Sequence, residues 1–590
     1  MYILGISCFY HDSAACLIKD GKIIAAAEEE RFTRKKHDNT FPFKAIEYCL
    51  REGKIEINDV KFVGFYEKPF LKFDRIIQIF VETFPSAFLL FYNTIPSWIN
   101  EKLRVKSIIR RKLGFKGDIL FVDHHTSHAA SAFYASPFEE AAILTVDGVG
   151  EWTTAAMGLG KNTDIKLFKE IKFPHSLGLL YSTFTAFLGF KVNNGEYKVM
   201  GMAPYGQPKY VEKIYDNLVK VASDGSFWLN MDYFSYHYSE EKTFNSKFER
   251  LFGQPRDPGL KFFTSKTRFP SYYGSKPDNY RQLCRQNEHY ADVAASIQRV
   301  TEEILLKLAI SLYKETGMKN LCLAGGVGLN SKANGRILME TPFNQLFIQP
   351  AAGDSGGALG AALYVYHGLL GKPRTFVLEH AYWGKEYSER EIKEFLKKNN
   401  INYEYLAKEE ELTTRIVDEI MAGKVIGLFQ GRFEWGPRAL GNRSILADPR
   451  REEMKDIVNL KIKFREPFRP FAPVILEEEA ESFFAANDFV NQFPVRYMLL
   501  VLPWKEEKAD KMRAVNHLGT ARLQTIREEW NPRYYQIIKK FGQATGAPVL
   551  LNTSFNLKGE PIVNSPLDAF TTFRRSGLDL LVLEKFIIKK

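Results

Sequence analysis

Residues 141–173 read AAILTVDGVGEWTTAAMGLGKNTDIKLFKEIKF, a short apolar strand followed by a glycine-rich polar turn and then a hairpin. Residues 2–31 follow the same order, with the apolar run YILGIS, the polar turn CFYHDS and a hairpin built on the turn KDGK. Helical segments follow both hairpins, at residues 43–52 and 177–188. The repeat predicts a duplicated, two-lobed α/β fold with a cleft between the lobes, faced by the polar turns at the strand ends.

Two further glycine turns follow apolar strands later in the chain. They are LCLAGGVGLNSKANG (321–335) and IQPAAGDSGGALGAALYVYHG (348–368), and the small residues of the second predict a helix. Such turns let backbone amides approach a phosphate, although any one of them also fits ordinary loop chemistry. No GxxxxGK[ST] loop and no GxGxxG run after the first strand is present, so we predict a divided nucleotide site between the lobes. Its candidate residues here are Gly148, Gly150, Gly325, Gly326 and Asn330.

Two histidines four positions apart predict a metal site. On a helix, His124 and His128 would face one side and reach a single ion, while His125 would point elsewhere. A pair of this kind also fits a packed or solvated helix face, and the absence of an HExxH motif counts against a metalloprotease. Asp147 and Asp354 lie in cleft-facing glycine turns, where either alone would be a turn-forming residue. Two imidazoles and two carboxylates together suit Fe(II), Mn(II) or Zn(II) and leave positions open for water or substrate.

Length and composition place these motifs in a large cytoplasmic protein. A chain of 590 residues predicts at least two domains, and Gly371 and Pro373 favour a boundary that separates residues 1–370 from residues 371–590. The five scattered cysteines indicate a reducing compartment, and the N-terminus does not have the pattern of a signal peptide. The net charge of +11 suits an anionic small molecule as readily as nucleic acid.

One apolar segment raises the question of membrane contact. Residues 76–98 (IIQIFVETFPSAFLLFYNTIPSW) are long enough to suggest a transmembrane helix, but Glu82, Pro85, Asn93 and Pro96 interrupt them. We therefore predict two packed, proline-broken helices within an aromatic insertion at residues 68–117 and no transmembrane segment. Interfacial membrane contact is the alternative.

The second half of the chain is rich in cations. Arg432, Arg438, Arg443 and Arg522 join Lys463 and Arg465, which on a strand would point to the same face. Ser554 and Asn556 offer hydroxyl and amide partners. Arginine forks suit phosphate and other planar anions, so we predict an anion site here; a solvated basic face and an RNA groove are the alternatives.

Long motifs spread over nearly the whole chain resemble the carbamoyltransferases of the nodulation and antibiotic-tailoring family. They are HDSA (11–14), AAEEERFTRKKHD (26–38), DHHTSHAASAFY (123–134), TVDGVGEWTT (145–154), GEYKVMGMAPYG (195–206), LAGGVGLN (323–330), GDSGGALGAA (353–362), GPRALGNRSILADPR (436–450), FREPFRPFAP (464–473) and LLNTSFNLKGEPI (550–562). The resemblance implies a Kae-like domain of the actin/Hsp70 type over residues 1–370 and a YrdC-like domain over residues 371–590.

The resemblance also implies a reaction and its cofactors. The YrdC-like part would make carbamoyl adenylate from carbamoyl phosphate and ATP, with magnesium left open, and the Kae-like part would transfer the carbamoyl group to a hydroxyl of a sugar or natural product. The family's metal ligands, commonly for iron, fall on His124, His128, Asp147 and Asp354. Its K-x-R and S-x-N signature falls on Lys463, Arg465, Ser554 and Asn556.

Four more residues are candidates for contact with the reactants. His11 or Asp12, in the first polar turn, would orient or deprotonate the acceptor hydroxyl, or simply bind it. Glu196 and Lys198 would contact the nucleotide or intermediate, with a surface turn as the alternative. A homodimer is left open. The competing functions are carbamoyl-type transfer to tRNA, which the fused arrangement disfavours, and a non-catalytic actin/Hsp70-like nucleotide-binding protein.

Overall fold

The computed structural model describes residues 1–267, 269–270 and 273–590. Residues 1–370 hold twelve of the described strands, which are β1 (Tyr2–Ser7), β2 (Ala14–Lys19), β3 (Lys22–Glu28), β4 (Val60–Phe65), β5 (Asp118–Phe121), β6 (Glu140–Val146), β7 (Thr153–Lys161), β8 (Asp164–Lys172), β9 (Val219–Val221), β10 (Phe227–Leu229), β11 (Asn320–Ala324) and β12 (Gln345–Phe347). The described α-helices of this part are α1 (Glu30–Thr33), α2 (Phe43–Gly53), α3 (Pro69–Glu82), α4 (Phe88–Asn100), α5 (Val105–Leu113), α6 (His124–Phe133), α7 (Leu177–Phe187), α8 (Glu196–Met202), α9 (Val211–Asn217), α10 (Ser246–Phe252), α11 (Tyr280–Thr316), α12 (Ser331–Glu340) and α13 (Ser355–Leu363).

The two five-stranded sheets of this part have the same topology. One has the order β3-β2-β1-β4-β5 and the other the order β8-β7-β6-β11-β12. In each sheet the first strand pairs antiparallel with the hairpin that follows it and parallel with a later strand, β4 in one sheet and β11 in the other. The structure thus confirms the two-lobed α/β fold and the internal duplication that the hairpin pattern predicted.

Helix α13 joins the two lobes through very close packing. Every residue of its sequence SGGALGAAL is buried, and the helix packs against both β1 and α6. A Cβ atom on Gly360 would lie 1.8 Å from the carbonyl oxygen of Ser127 in α6, so only glycine permits this approach. The small residues therefore fix the distance between α6, which carries the two histidines, and Asp354 at the start of α13.

Residues 76–98 fall on two helices, as predicted, although only one proline separates them; α5 follows within the insertion. Pro85 lies between α3 and α4, whereas Pro96 lies inside α4. The rings of Phe80 and Phe91 stack with their centroids 4.0 Å apart and hold the helices together. Across the described residues, each helix is too short or too polar to cross a membrane.

The rest of the chain contains an eight-stranded mixed sheet, with the order β13-β22-β21-β14-β15-β20-β16-β19, and a separate β17–β18 pair. Its described strands are β13 (Glu404–Tyr405), β14 (Ile426–Phe429), β15 (Arg443–Ala447), β16 (Ala472–Leu476), β17 (Val501–Pro503), β18 (Thr520–Arg522), β19 (Gln524–Ile526), β20 (Val549–Ser554), β21 (Leu580–Leu583) and β22 (Phe586–Lys589). Its described α-helices are α14 (Glu389–Lys398), α15 (Glu409–Met421), α16 (Glu453–Ile457), α17 (Ala480–Phe483), α18 (Phe493–Arg496), α19 (Glu506–Ala509), α20 (Pro532–Thr545) and α21 (Pro566–Arg575). The YrdC-like assignment and the boundary near residue 370 stay predictions.

The expectation that Lys463 and Arg465 lie on a strand is wrong. The chain forms a π-helical turn at Val458–Ile462 directly after α16, and Phe464 then takes a left-handed backbone conformation with φ of 48°. Alternation of side chains along a strand therefore does not apply here. A sharp turn, rather than a pleat, positions both cations.

Candidate active site

Helix α6 carries the two histidines on its buried face. His124 is 1% exposed and His128 is fully buried, and their Nε2 atoms lie 3.0 Å apart. The backbone N–H of His124 donates to Glu151, which satisfies an otherwise free amide in the first turn of the helix. His125 points elsewhere, as predicted: its ring lies 2.7 Å from Thr145 Oγ1 and 2.8 Å from the carbonyl oxygen of Thr153.

Two carboxylates, one after strand β6 and one before helix α13, lie close to these imidazoles. Asp147 follows β6, and its Oδ1 accepts a hydrogen bond of 2.7 Å from the backbone of Gly326 while its Oδ2 lies 3.3 Å from His124 Nε2. Asp354 precedes α13, and its Oδ1 lies 3.7 Å from Nε2 of both histidines. The four ligand atoms all lie within 4.8 Å of one another. The structure therefore brings together the four residues that the sequence nominated.

The chemistry of this cluster fits a divalent metal ion. Both carboxylate oxygens of Asp354 are buried without a hydrogen-bond partner in the described part of the chain, and a buried carboxylate left unpaired is strongly unfavourable. Burial opposes protonation of His124, yet Asp354 and Asp147 outweigh it and raise the pKa of the imidazole to about 9. Burial raises the pKa of the Asp147 carboxyl, but hydrogen bonding and charge from the histidines bring it well below its usual value. The carboxylates thus require positive charge here, and two nitrogens with two oxygens would supply ligands to Fe(II), Mn(II) or Zn(II).

A chain of hydrogen-bonded side chains lies beside the cluster. His11 Nδ1 lies 2.8 Å from one oxygen of Asp12, and His37 Nδ1 lies 2.7 Å from the other. His11 Nε2 lies 3.9 Å from Asp354 Oδ2, so the first polar turn reaches the cluster. The sequence analysis did not select His37, although it lies within the quoted motif AAEEERFTRKKHD, which could have identified it.

Lys463 organises a second group of polar residues in the C-terminal part. Its Nζ donates to the carbonyl oxygen of Ser554 at 2.7 Å, to the carbonyl oxygen of Asn556 at 2.9 Å and to Asn556 Oδ1 at 2.5 Å. Burial and the neighbouring charges of Arg465 and Arg469 lower the pKa of Lys463 well below its ordinary value. The Lys463 side chain therefore holds the 554–556 segment in place. Because its pKa is lowered, an incoming anion would stabilise its charged form.

Four arginines line the same cavity as this lysine. Burial and the cations around them lower the pKa values of Arg465 and Arg522 far below the ordinary range, and the pKa of Arg438 falls to about 10 chiefly through burial. Arg469, which the sequence analysis did not nominate, lies 3.5 Å from Glu466, and that carboxylate also pairs with Lys198 at 3.0 Å. Buried cations that repel one another make a site ready to receive a polyanion such as a phosphate chain.

One cavity of about 780 Å³ connects the two groups. The nominated residues that line it are His11, Asp12, Asp147, Gly148, Glu196, Lys198, Gly326, Asn330, Arg438, Lys463, Arg465, Arg522, Ser554 and Asn556. Asp147 is the member of the His/Asp cluster that lines the cavity on the side of the N-terminal lobes, and the cationic residues line it from the C-terminal part. A small molecule would therefore meet both groups without leaving the protein.

Four other nominated residues do not line this cavity and instead make contacts within the fold. Arg432 donates to backbone carbonyls of Gly384, Ile24 and Trp383, and Arg443 donates to carbonyls of Gln430, Gly431, Asn442 and Lys385. Gly325 has φ of +95°, and a Cβ there would lie 2.2 Å from the Val146 carbonyl oxygen. A Cβ on Gly150 would lie 3.0 Å from His124, so this glycine makes room for the histidine. Their roles in nucleotide or carbamoyl phosphate binding stay predictions.

Comparisons with known proteins identify the family. Residues 2–363 match the model of the carbamoyltransferase N-terminus, and residues 417–590 match that of the carbamoyltransferase C-terminus. Among relatives, the uncharacterized protein sll1178 of Synechocystis sp. is 45% identical over 100% of this chain and 97% of its own length. The nodulation protein NolNO of Sinorhizobium fredii is 36% identical over 99% of this chain and 79% of its own.

Some solved structures resemble part of the chain at low identity. Component A of the (R)-2-hydroxyglutaryl-CoA dehydratase of Acidaminococcus fermentans aligns with a TM-score of 0.31 and 14% identity, over 63% of this chain and 99% of that one. The family therefore follows from the sequence relatives and the two family models. The chain belongs to the carbamoyltransferase family, and carbamoyl transfer is its general activity.

Proposed function

We propose that this protein is an ATP-dependent O-carbamoyltransferase that acts on a hydroxyl of a sugar or natural product. It would convert carbamoyl phosphate, ATP and water into carbamoyl adenylate, phosphate and pyrophosphate, and then transfer the carbamoyl group with release of AMP. The observation that carries the proposal is the single cavity of about 780 Å³ that joins the cationic group to the His/Asp cluster. A reactive acyl adenylate made at one end would reach the other end protected from bulk water.

The cationic group would perform the first half-reaction. Arg438, Arg465 and Arg522 lie along the cavity with their charges incompletely compensated, so they favour the phosphates of both substrates and the negative charge of the departing pyrophosphate. Lys463 fixes Ser554 and Asn556, whose side chains also line the cavity and offer directed hydrogen bonds to the planar carbamoyl group.

The His/Asp cluster and the first polar turn would perform the transfer. A divalent ion held by His124, His128, Asp147 and Asp354 supplies Lewis acidity to a carbonyl oxygen when it is bound. His11 lines the cavity, and Asp12 fixes its ring through Nδ1. Burial opposes protonation of this ring, but Asp354 and Asp12 outweigh it and raise the pKa of His11 to about 10. A divalent ion on Asp354 would remove much of that effect and would leave Nε2 able to accept the proton of the acceptor hydroxyl. The attack then breaks the bond between the carbamoyl carbon and the AMP oxygen.

The decisive experiment separates the two half-reactions. Purified protein is supplied with ATP, carbamoyl phosphate and Fe(II), with and without a panel of sugars, and pyrophosphate, AMP and the mass of one added carbamoyl group are measured. We expect pyrophosphate without an acceptor, and AMP together with a carbamoylated sugar when the right acceptor is present. Formation of a modified tRNA in place of a modified small molecule, with bicarbonate and threonine supplied, would contradict the proposal.

A further inference from the structure

Helix α3 buries its two cations and exposes apolar side chains at both of its ends, next to the exposed carboxylates Asp74 and Glu82. Lys72 and Arg75 are buried, whereas Phe70 is 71% exposed and Val81 is 67% exposed. A helix of a globular protein normally has the opposite arrangement, with the apolar stripe facing the core. The exposed apolar side chains of α3 are therefore left uncovered by the part of the chain that the structure describes.

The apolar face continues across the turn into α4. We define the hairpin patch as Phe70, Leu71, Val81, Phe84, Leu89 and Tyr92, which are between 46% and 71% exposed. Half of the patch is aromatic. Phe84 lies in the turn between α3 and α4, and the other members lie on these two helices, which pack against each other. Contiguous apolar patches of this kind mark sites of association with a protein or a membrane.

A basic segment follows the hairpin patch directly. Residues 102–116, with the sequence KLRVKSIIRRKLGFK, contain seven Lys and Arg residues and no Asp or Glu. Its exposed cations are Arg104, Lys106, Arg110, Arg111, Lys112 and Lys116. The stretch 69–117 as a whole holds nine cations against three carboxylates, Asp74, Glu82 and Glu101, so it accounts for more than half of the chain's net charge of +11.

The inner face of α3 anchors the hairpin to the rest of the protein. Lys72 Nζ pairs with Glu67 at 2.6 Å, and Arg75 Nη1 donates to the carbonyl oxygen of Gly150 at 2.8 Å. Gly150 belongs to the turn that follows Asp147, so α3 is fixed to the edge of the candidate active site. The hairpin patch is thus held on the outside of the molecule by buried polar contacts, and turning it inward would break them.

We propose that the hairpin patch and the basic segment form a docking surface for an anionic lipid bilayer. Exposed aromatic and aliphatic side chains would enter the acyl and headgroup boundary, and the adjacent cations would face the negatively charged headgroups, as in interfacial amphipathic helices. The helices lie on the bilayer and do not span it. The inference rests on the surface alone and does not depend on the reaction proposed above.

Charge complementarity distinguishes a bilayer from a second copy of the chain. In a two-fold symmetric dimer the same patch meets itself, so both basic segments would border one interface that offers them no negative charge beyond the few carboxylates of the patch region. An anionic membrane offers an apolar layer bordered by negative charge, which complements both parts of the surface. We therefore assign the bilayer as the occupant.

The first test measures binding of the full-length protein to vesicles. Vesicles of phosphatidylcholine alone are compared with vesicles that contain about one third phosphatidylglycerol. We expect cosedimentation with the anionic vesicles, weaker binding to the neutral ones, and a loss of binding as salt is raised. Absence of binding to the anionic vesicles would overturn the proposal.

Two variants test the two parts of the surface. R110E/R111E/K112E should lower the partition coefficient onto anionic vesicles at least about 100-fold, because each cation near such a surface contributes about fivefold. F84Q/L89Q/Y92Q should lower it on both kinds of vesicle. The matched controls are K393E/K397E/K398E, which reverses three exposed lysines of α14, and W228Q/M339Q/L567Q, which removes three exposed apolar side chains elsewhere.

Circular dichroism and sedimentation velocity accompany each variant. We expect native secondary structure in all four variants, since the replaced side chains are exposed, and unchanged vesicle binding in both controls. The proposal is wrong if the controls lose as much vesicle binding as the test variants. It is also wrong if F84Q/L89Q/Y92Q converts a dimer into a monomer and leaves vesicle binding as it was.

Discussion

His128 and His125 lie on the same helix, are both buried, and have different surroundings. His128 Nε2 faces His124, Asp147 and Asp354, whereas His125 is held between Thr145 and the Thr153 carbonyl. Burial and the neighbouring histidines lower the pKa of His125 to about 3, so it stays neutral at physiological pH. Variants of His128 and His125 can therefore distinguish loss of metal binding from damage to the packing of α6.

We expect His128→Ala to abolish bound metal and to reduce carbamoyl transfer at least about 100-fold, while pyrophosphate formation continues. His125→Asn, which retains a group able to bond Thr145, should keep its metal. Metal content by mass spectrometry, together with separate assays of the two half-reactions, checks the prediction. Equal metal loss in both variants would instead point to damage to α6 as a whole.

The lowered pKa of Lys463 predicts that kcat/KM for carbamoyl phosphate depends on pH. Because burial and the charges of Arg465 and Arg469 lower its pKa, the charged form is lost at a lower pH than for an ordinary lysine. The anion-binding ammonium is present below that pKa, so kcat/KM for carbamoyl phosphate should fall, by up to tenfold per pH unit, as pH rises through it.

The matched variant for this prediction is Lys463→Arg, whose guanidinium keeps its charge to a higher pH than an ammonium in the same surroundings. We expect a lower kcat/KM than in the wild type because the bonds to Ser554 and Asn556 fit an ammonium, but no alkaline decline below pH 10 or so. A decline at the same pH in both proteins would assign the titration to another group.

At the scale of elements, the approach of α13 to α6 determines the geometry of the His/Asp cluster. Gly360→Ala would place a methyl group 1.8 Å from the Ser127 carbonyl oxygen, so the two helices must separate. We expect a decrease of about 1–3 kcal/mol in the free energy of unfolding, together with weaker metal retention. Gly201→Ala in α8 is the control, since its Cβ would meet Pro470 at 3.4 Å, and urea denaturation compares the two.

The elements that the sequence predicted well are those whose signal is local and repeated. The two hairpins and the HxxxH helix depend on alternation and on a four-residue spacing, and the structure has both. Lys463 and Arg465 were assigned to a strand because spacing by two residues does not distinguish a pleat from the end of a helix; the left-handed Phe464 decides the matter. Arg469 and His37 were missed since their roles come from neighbours distant in sequence, Tyr197 and Asp12 respectively.

The N-terminal and C-terminal parts of the chain both line the cavity, so its shape depends on how these two parts are held together. Arg31, fully buried in the N-terminal part, donates to the carbonyl oxygen of Gly436 at 2.6 Å, and the Gly436 amide donates to Glu28 at 2.7 Å. The Glu28 and Arg31 side chains also lie 3.5 Å apart. This reciprocal contact connects the first hairpin with the loop that carries Arg438, so it joins the His/Asp cluster to the cationic group.

Replacement of this contact should uncouple the two half-reactions. Arg31→Met leaves the Glu28 carboxylate buried without its counterion, which destabilises the junction by about 3–5 kcal/mol. We expect pyrophosphate formation to exceed formation of the carbamoylated product, because carbamoyl adenylate escapes from the loosened cavity and hydrolyses. The exposed pair Arg390–Glu394 supplies the control, Arg390→Met, for which the ratio of the two products should equal that of the wild type. If Arg31→Met formed pyrophosphate and carbamoylated product in a ratio near one, with a rate of product formation similar to that of the wild type, the prediction would be wrong. The intermediate would then reach the His/Asp cluster without this contact.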